Sequence, residues 1–403
     1  RVPFSPRLSK YKDANGNAVL GQTATWSSSD NGIATVGVNG LMTAVANGGP
    51  VTITAAVGLI SGTATVTVAQ AVNTISVTPG VTTLAALAQT VQLAAALQDA
   101  LGHPVLNAAV TWSSSNSTIA MVGPSGLVTA MAVGGPVTVT ATAGGKSGTA
   151  TVSVAQTVAN VAVTPPATTL VSFGETLQLT ALATDGNGMT VNGLPVSWSS
   201  SNSSVASVSN SGLVTAVSDG GPVTFTATVG AKSGTATVTV AQAVNNIVVA
   251  PGTTTLVSLG QTVQLTATPS DANGHPVNGA TVTWSSSNAG VATVNGTGLV
   301  TAVANGGPVT FSASAGGKSA TASVTVAQAV ASVAVSPPTT TLASLGATVQ
   351  LLATPQDALG NPVAGQTVTW TSSNNAVAMV GVSGLVTAIT TGGPVTITAT
   401  VGS

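Results

Sequence analysis

The sequence contains no cysteine and very little charge. Charged side chains make up 4% of its 403 residues, with Lys+Arg 7 against Asp+Glu 8. Without cysteine there are no disulfides, so each domain must be held together by packing alone. Binding to nucleic acid through its phosphates requires a basic surface, and seven scattered cations do not form one. The sequence therefore predicts no nucleic-acid partner.

Long apolar runs and aromatic residues are scarce as well. Hydrophobic residues amount to 44%, but Thr, Ser and Gly interrupt every stretch before the roughly 20 apolar residues that a spanning helix needs. Aromatic residues amount to 2%, too few for a surface that stacks on bases or sugars. We therefore expect no membrane span, and the residues contain no sorting motif.

The chain is a tandem repeat with a period of 86 residues. Its only tryptophans recur at this interval, as do an aspartate and a Gly-Gly-Pro sequence that we interpret as turns: Trp26, Trp112, Trp198, Trp284 and Trp370; Asp13, Asp99, Asp185, Asp271 and Asp357; Gly48, Gly134, Gly220, Gly306 and Gly392. Such a unit exceeds the roughly 20 to 47 residues of helical and leucine-rich repeats and is long enough for a small domain. We predict five domains, at 1–70, 71–156, 157–242, 243–328 and 329–403, with the first and last incomplete.

Alternation of apolar and polar residues dominates the second unit. In segment 148–154, Ala150, Val152 and Val154 alternate with Thr and Ser, a pattern typical of a strand with one buried face. Further strands are predicted within 75–78, 90–97, 110–112, 119–122, 127–130 and 136–143. About seven short strands with no helical period must bury their apolar faces against a second sheet. The predicted fold class is all-β, a β-sandwich in each repeat.

Two kinds of residue are expected at the strand ends. The aspartates begin a D-x-x-G sequence, which suits the first and fourth positions of a tight turn. Proline follows the predicted first strand at Pro79, Pro165, Pro251 and Pro337. A missing N–H is tolerated on an edge strand, so we expect the first strand to lie at an edge.

The repeats resemble a known domain family. The residues that carry the resemblance are WSSSN after Val-Thr at 110–111, the A-x-V-x-x-x-G-L-V-T-A segment that ends at Ala130, and the GTATV pattern at 148–152. They are similar to the bacterial immunoglobulin-like domain, group 2, found in tandem in surface proteins such as the intimin and invasin adhesins. Residues 1–12 depart from the pattern. The resemblance implies an immunoglobulin-like sandwich, a cell-surface or phage-structural setting, and no catalysis.

Candidate chemical groups do not recur in the combinations that catalysis or metal binding requires. His103 and His275 follow the D-x-x-G turn, and no nucleophile and carboxylate accompany them at a fixed spacing. Calcium needs six to eight oxygen ligands, and leucine replaces Asn two positions after Asp99 and Asp357. We predict no catalytic, cofactor-binding or metal-binding residue, and no cofactor.

Other recurring residues favour structural roles. The tryptophans lie on the inward phase of a strand, as core residues do, and Lys146, Lys232 and Lys318 are expected at hairpin tips. Outward threonines suit any strand, so ice binding is disfavoured. The sequences at Asn116, Asn202 and Asn295 match a glycan acceptor pattern, a weak signal that leaves glycosylation open.

These observations favour a non-catalytic structural protein, an extended extracellular or cell-surface stalk or fibre. The linkers AQAV and AQTV lack Gly and Pro, so we expect stiff joints and domains of roughly 30 to 40 Å each. The alternative is an adhesin or phage-fibre protein whose receptor-binding tip lies outside these residues. The expected partner is another copy of the chain, end to end or side by side, with a host or cell-surface receptor left open.

The two ends raise the hypothesis of head-to-tail polymerisation. By the period, the first unit lacks the strand that 75–78 supplies in its neighbour, and the last stops before the equivalent of 318–326. A neighbouring chain could complete these edges by strand addition, with Arg1 to Lys12 as the candidate donor. The other reading, that these residues belong to a longer array, stays open.

Overall fold

The computed structural model describes residues 11–16, 18–19 and 21–402, and all regular elements within them are strands. The chain divides into two compact units, and the division falls inside the third repeat. Unit 1 takes in the chain up to Val161 with Leu182–Leu194 and Gly230–Lys232, and unit 2 takes in the remainder. Repeats 1 and 2 therefore lie in unit 1, and repeats 4 and 5 lie in unit 2.

The strands follow the 86-residue period. In unit 1, repeat 1 contains β1 Tyr11–Lys12, β2 Ala18–Val19, β3 Thr25–Ser28, β4 Ala34–Val36, β5 Met42–Ala44, β6 Gly48–Val57 and β7 Ile60–Val68, and repeat 2 contains β8 Thr74–Thr78, β9 Val81–Leu84, β10 Thr90–Gln92, β11 Ala94–Gln98, β12 Thr111–Ser114, β13 Ala120–Val122, β14 Leu127–Ala130, β15 Gly134–Ala143 and β16 Lys146–Val154. Repeat 3 contains β17 Asn160–Thr164, β18 Ala167–Leu170, β19 Thr176–Gln178, β20 Thr180–Thr184, β21 Val196–Ser200, β22 Ala206–Val208, β23 Leu213–Ala216, β24 Gly220–Val229 and β25 Lys232–Val240.

Unit 2 continues the same order. Repeat 4 contains β26 Asn246–Ala250, β27 Thr253–Leu256, β28 Thr262–Gln264, β29 Thr266–Ser270, β30 Thr283–Ser286, β31 Ala292–Val294, β32 Leu299–Ala302, β33 Gly306–Ala315 and β34 Lys318–Val326. Repeat 5 contains β35 Ser332–Ser336, β36 Thr348–Gln350, β37 Leu352–Gln356, β38 Val368–Ser372, β39 Ala378–Val380, β40 Leu385–Ala388 and β41 Ile397–Val401.

Repeat 2 shows how the strands form a sandwich. One sheet has the order β12-β15-β16-β9, and the others have the orders β10-β14-β13 and β11-β8. Alternate residues of these sheets, among them Val128, Val139 and Val152, meet in one buried core cluster together with Leu93, which lies between β10 and β11. Repeat 4 repeats this topology around Phe311, which is fully buried. The predicted all-β tandem array of immunoglobulin-like sandwiches is confirmed.

The strand predictions need three corrections in repeat 2, which has nine strands. The missed strand β9 pairs in parallel with β16 from Val81 to Leu84, and a segment of four residues carries too little alternation to identify it. The predicted strand 90–97 is divided at Leu93, because β10 pairs with β14 and β11 pairs with β8. The Gly-Gly-Pro sequence is not a turn: Gly134 begins β15, whose register against β16 shifts between Gly134 and Val137.

The proline prediction is confirmed. β8 pairs only with β11, and β9 is the edge strand of its own sheet. The chain changes sheets between these two strands, at Pro79, where no backbone N–H is needed.

At the N-terminus, Tyr11–Lys12 pairs with Ala18–Val19. The remainder of the predicted donor segment, residues 1–10, lies outside the described residues.

Candidate functional site at the joints between repeats

The two histidines directly follow the D-x-x-G turns, as the sequence predicts. His103 Nδ1 is 3.4 Å from Asp99 Oδ2, and His275 Nδ1 is 3.6 Å from Asp271 Oδ1. Over residues 11–16, 18–19 and 21–402, the structure shows no group of three or more metal-binding side chains. The absence of a metal site remains a prediction.

Each turn aspartate accepts hydrogen bonds from the backbone of its own turn region. Asp185 Oδ1 accepts the backbone N–H groups of Asn187 and Met189, each at 3.0 Å. Asp271 and Asp357 bind the second and fourth following N–H groups in the same way, at 2.9 to 3.0 Å. The turn role predicted for these aspartates is confirmed.

The second carboxylate oxygen binds the preceding repeat, which sequence reasoning missed. Asp185 Oδ2 accepts the backbone N–H of Leu87 at 2.8 Å, and Asp271 accepts that of Phe173 at 2.9 Å. Asp357 accepts the N–H of Leu259 at 3.0 Å. The three aspartates are 1 to 3% exposed. Each one is a buried anion that joins two consecutive domains.

An asparagine completes the contact with the same residue. The Nδ2 groups of Asn187 and Asn273 donate to the carbonyls of Leu87 and Phe173, both at 2.8 Å. At the next joint, Asn361 donates to the carbonyl of Leu259 at 2.8 Å. One residue of the preceding domain is thus held through both its N–H and its C=O.

The linker glutamine adds a third donor to the carboxylate. The Nε2 groups of Gln156, Gln242 and Gln328 lie 2.8, 2.8 and 2.9 Å from Oδ2 of Asp185, Asp271 and Asp357. Gln70 donates to Asp99 at 3.1 Å. We call the Asp, the Asn, the linker Gln and the bound peptide of the preceding repeat the joint clasp.

The linker backbone has hydrogen bonds on both sides of each joint. Ala155 and Thr157 donate to the carbonyls of Leu84 and Ala85 in repeat 2, each at 2.9 Å. Ala159 then donates at 2.8 Å to Thr184 in repeat 3. Bonds from Ala241, Ala243 and Asn245, and from Ala327, Ala329 and Ala331, repeat the alternation. Every second linker residue is therefore fixed to a sheet edge or a turn.

A side chain braces the loop that presents the bound peptide. Glu175 Oε2 accepts the N–H groups of Val171 and Ser172 at 2.7 and 3.1 Å. Gln89 and Gln261 make the equivalent pair of bonds in repeats 2 and 4. These bonds lie within the preceding repeat and do not involve the domain that docks on the loop.

The clasp lowers the pKa of its carboxylates. Burial raises the pKa of Asp271, but hydrogen bonds from Gln242 and from the backbone of Phe173, His275 and Asn273 outweigh burial and hold it at about 2. The same opposition, with Gln156 and Leu87 as leading donors, lowers the pKa of Asp185, and with Gln328 and Asn361 that of Asp357. The clasps are therefore ionised at neutral pH.

The remaining predicted residues lie where a structural role places them. The five tryptophans are half-buried, and Trp112 and Trp284 pack against the cores of their repeats. Lys146, Lys232 and Lys318 are exposed at the start of the last strand, beside the hairpin tip. The one signal that could have revealed the clasp is the Gln present in all four linkers together with the Asp present in all five turns.

Repeat 5 contains an open groove of about 860 Å³. It is lined by residues that include Leu342, Leu351 and Ile397. In repeat 4 the equivalent residues Leu256, Leu265 and Phe311 are at most 2% exposed and share one core cluster with Ala322, Val324 and Val326 of β34. Residues 339–342 and 392–396 form no strand, although their counterparts in repeat 4 do.

Nothing in the described part of the chain forms a helix with the length and hydrophobicity needed to cross a membrane. The family model of the bacterial Ig-like domain (group 2) matches the chain five times, at residues 5–68, 71–154, 157–240, 243–324 and 329–403. The matches cover nearly the whole chain. No curated protein matches it.

Solved structures with similar architecture include three bacterial proteins. Domains 1–6 of the surface layer protein SbsC are 19% identical with a TM-score of 0.27, over 94% of this chain and 59% of that chain. The Escherichia coli adhesin FdeC is 20% identical with a TM-score of 0.31, over 63% and 96%. Invasin, a bacterial integrin-binding protein, is 19% identical with a TM-score of 0.28, over 79% and 74%. This chain therefore spans about three fifths of the surface layer structure.

Proposed function

We propose a structural function for this chain, which belongs to the family of bacterial Ig-like domains of group 2. The array serves as an extended stalk or fibre of a cell-surface or extracellular protein, and it is not an enzyme. The observation that carries the proposal is the joint clasp, which recurs between repeats 2 and 3, 3 and 4, and 4 and 5.

The clasp suits a protein whose task is to hold a distance. A flexible linker would let consecutive domains fold back on each other, whereas the linkers here have no Gly or Pro and are hydrogen-bonded at alternate residues. Hydrogen bonds to an ionised carboxylate are stronger than hydrogen bonds between neutral groups. Several of them together fix both the position and the orientation of the carboxylate. Each domain therefore adds its own length to the array.

The array's dimensions test the proposal. Domains of roughly 30 to 40 Å give a total length on the order of 150 to 200 Å. We expect X-ray scattering and electron microscopy of the full chain to show rods of this length. Substitution of Asp185, Asp271 and Asp357 by Ala should produce bent particles with a broad range of end-to-end distances. Compact native particles, or native particles as bent as the variant, contradict the stalk.

The alternative function is an adhesin or phage-fibre protein in which the same array carries a receptor-binding domain outside residues 1–403. What favours it is the domain family itself, since a tandem array of such domains can present a binding domain at a distance. A non-repeat terminal domain in the full-length gene supports this alternative, and repeats extending to both ends support the fibre.

We extend the proposal to head-to-tail association by strand addition, in which a neighbouring copy is the partner. The strand that would be added corresponds to β34 of repeat 4, which pairs antiparallel with β33 and parallel with β27. Addition of a strand to an exposed sheet edge uses main-chain bonds for affinity and alternate side chains for specificity.

A peptide with the sequence of Lys318–Val326 tests strand addition on the full chain. We expect it to bind, and we expect a matched peptide with Asp at the positions of Ala322, Val324 and Val326 not to bind, since these three side chains are buried in repeat 4. Absence of binding by the first peptide contradicts strand addition. Light scattering with and without residues 1–12 tests the donor, and strand exchange is wrong if both forms stay monomeric at high concentration.

A further inference from the structure

We infer that an asparagine at either the second or the fourth position after the turn aspartate determines how firmly each repeat docks on the one before it. This inference concerns the orientation of adjacent domains, and it holds whether or not the array is a stalk. Its basis is that the position of this asparagine differs between repeats of the same chain. Repeats 3 and 4 carry the amide at the second position, and repeat 5 carries it at the fourth.

The exchange of positions preserves one contact. In repeat 5 the second position is Leu359, which is 59% exposed. Asn361 nonetheless reaches the carbonyl of Leu259 at 2.8 Å, the distance that Asn187 and Asn273 reach from the second position. The acceptor is in each case the residue whose N–H binds the carboxylate.

The turn explains why two positions can serve one contact. The N–H groups of the second and fourth residues both bind Oδ1 of the aspartate, as Leu359 and Asn361 do at 3.0 and 2.9 Å. Both side chains therefore start from backbone that is fixed to the same oxygen. An amide on either one lies within reach of the peptide that Oδ2 binds.

Turn propensity alone does not account for the asparagines. Asn at the second position falls inside the D-x-N-G turn, where it is a favoured residue. Asn361 follows the glycine and lies outside that turn, and it donates to both the preceding domain and Asp357. When the amide occupies the second position, the fourth carries Met189 or His275, and the His275 ring lies 6.0 Å from the Phe173 ring of the preceding repeat.

Repeat 2 has an amide at neither position. Leu101 and His103 occupy them, both exposed. Asp99 accepts Gln70 at 3.1 Å, and its side chain is 17% exposed where that of Asp271 is 0%. The residue of repeat 1 that is equivalent to Leu87 is Arg1, which lies outside the described residues.

Spin labels measure the docking on the full chain, which has no native cysteine to interfere. Labels at Lys318→Cys and Ser383→Cys, both exposed, report the distance across the joint between repeats 4 and 5. We expect Asn361→Leu to broaden the distance distribution at least twofold. The transposed variant Leu359→Asn/Asn361→Leu, which restores the arrangement of repeats 3 and 4, should return it to the native width.

Amide hydrogen exchange at the joint between repeats 2 and 3 tests the opposite change, in which the asparagine moves from the second position to the fourth. Asn187→Leu should speed exchange of the Leu87 N–H several-fold, and Asn187→Leu/Met189→Asn should restore its protection. Exchange in the core of repeat 3 serves as the folding control and should change in neither variant. The inference is wrong if the single variants leave width and exchange at native values, or if transposition fails to restore them while the cores stay protected.

Discussion

A glycine lies directly against the ring of each half-buried tryptophan. A Cβ built on Gly298 would stand 3.0 Å from the Trp284 ring and would clash with the Leu265 carbonyl, and its φ is +86°. Gly40, Gly126, Gly212 and Gly384 repeat the arrangement, with φ between +78° and +84°. The indole thus covers one end of the core while its outer edge remains in water.

Replacement of this glycine should destabilise one repeat only. Gly298→Ala must adopt a left-handed conformation that costs roughly 1 to 2 kcal/mol, and the displaced ring adds to it, so we expect about 2 to 4 kcal/mol. The matched control is Gly296→Ala, which meets nothing within 4 Å and has no unfavourable φ. Amide exchange in the core of repeat 4 measures both. Equal effects of the two substitutions would contradict the packing role of Gly298.

At the scale of strands and turns, local patterns predicted what local forces decide. Alternation located β14 and β16 because each buries every second residue. It could not locate β9, whose four residues are a strand only because β16 pairs with them from 70 positions away. The joint clasp could not be predicted for the same reason, since Leu87 and Asp185 are 98 positions apart. The sequence around Asp185 predicts its role in the turn, but no nearby residue indicates the partner of its second carboxylate oxygen.

Acid should open the clasps before it opens the domains. The pKa of Asp271 is about 2 in the folded chain, against an ordinary value of 3.8. Because the folded value is the lower one, the stabilisation is complete above about pH 4 and is lost as the pH falls toward 2. We expect the protection factor of the Phe173 N–H to fall through this range while the core of repeat 4 stays protected.

The glutamine of the clasp provides the control for the acid response. Gln242→Ala removes a leading donor to the Asp271 carboxylate, so the pKa should rise and the loss of protection should begin at a higher pH. Protection that remains constant until the whole repeat unfolds would contradict the assignment. A midpoint that Gln242→Ala does not move would also contradict it.

The whole chain combines independent cores with connected surfaces. Repeats 2 and 4 each have their own buried cluster, so loss of one core need not remove the next. The clasps, by contrast, join the surface of each repeat to a loop of its predecessor. Tandem arrays of this kind have stabilities that are sums of repeat terms and nearest-neighbour terms. Stretching a single molecule separates these two contributions.

Under force, repeats 2, 3 and 4 should unfold one at a time. Each repeat has 86 residues and nine strands, and its extended length is roughly 280 to 310 Å, from which a folded span of roughly 30 to 40 Å is subtracted. We expect three equal length increments of about 250 Å in single-molecule stretching, because the cores are separate and the clasps join only neighbours. Gly298→Ala should lower the force of one of the three events and leave the increments unchanged. One large rupture, or two that follow the division of the chain inside repeat 3, would show instead that the clasps bind the repeats into larger cooperative units.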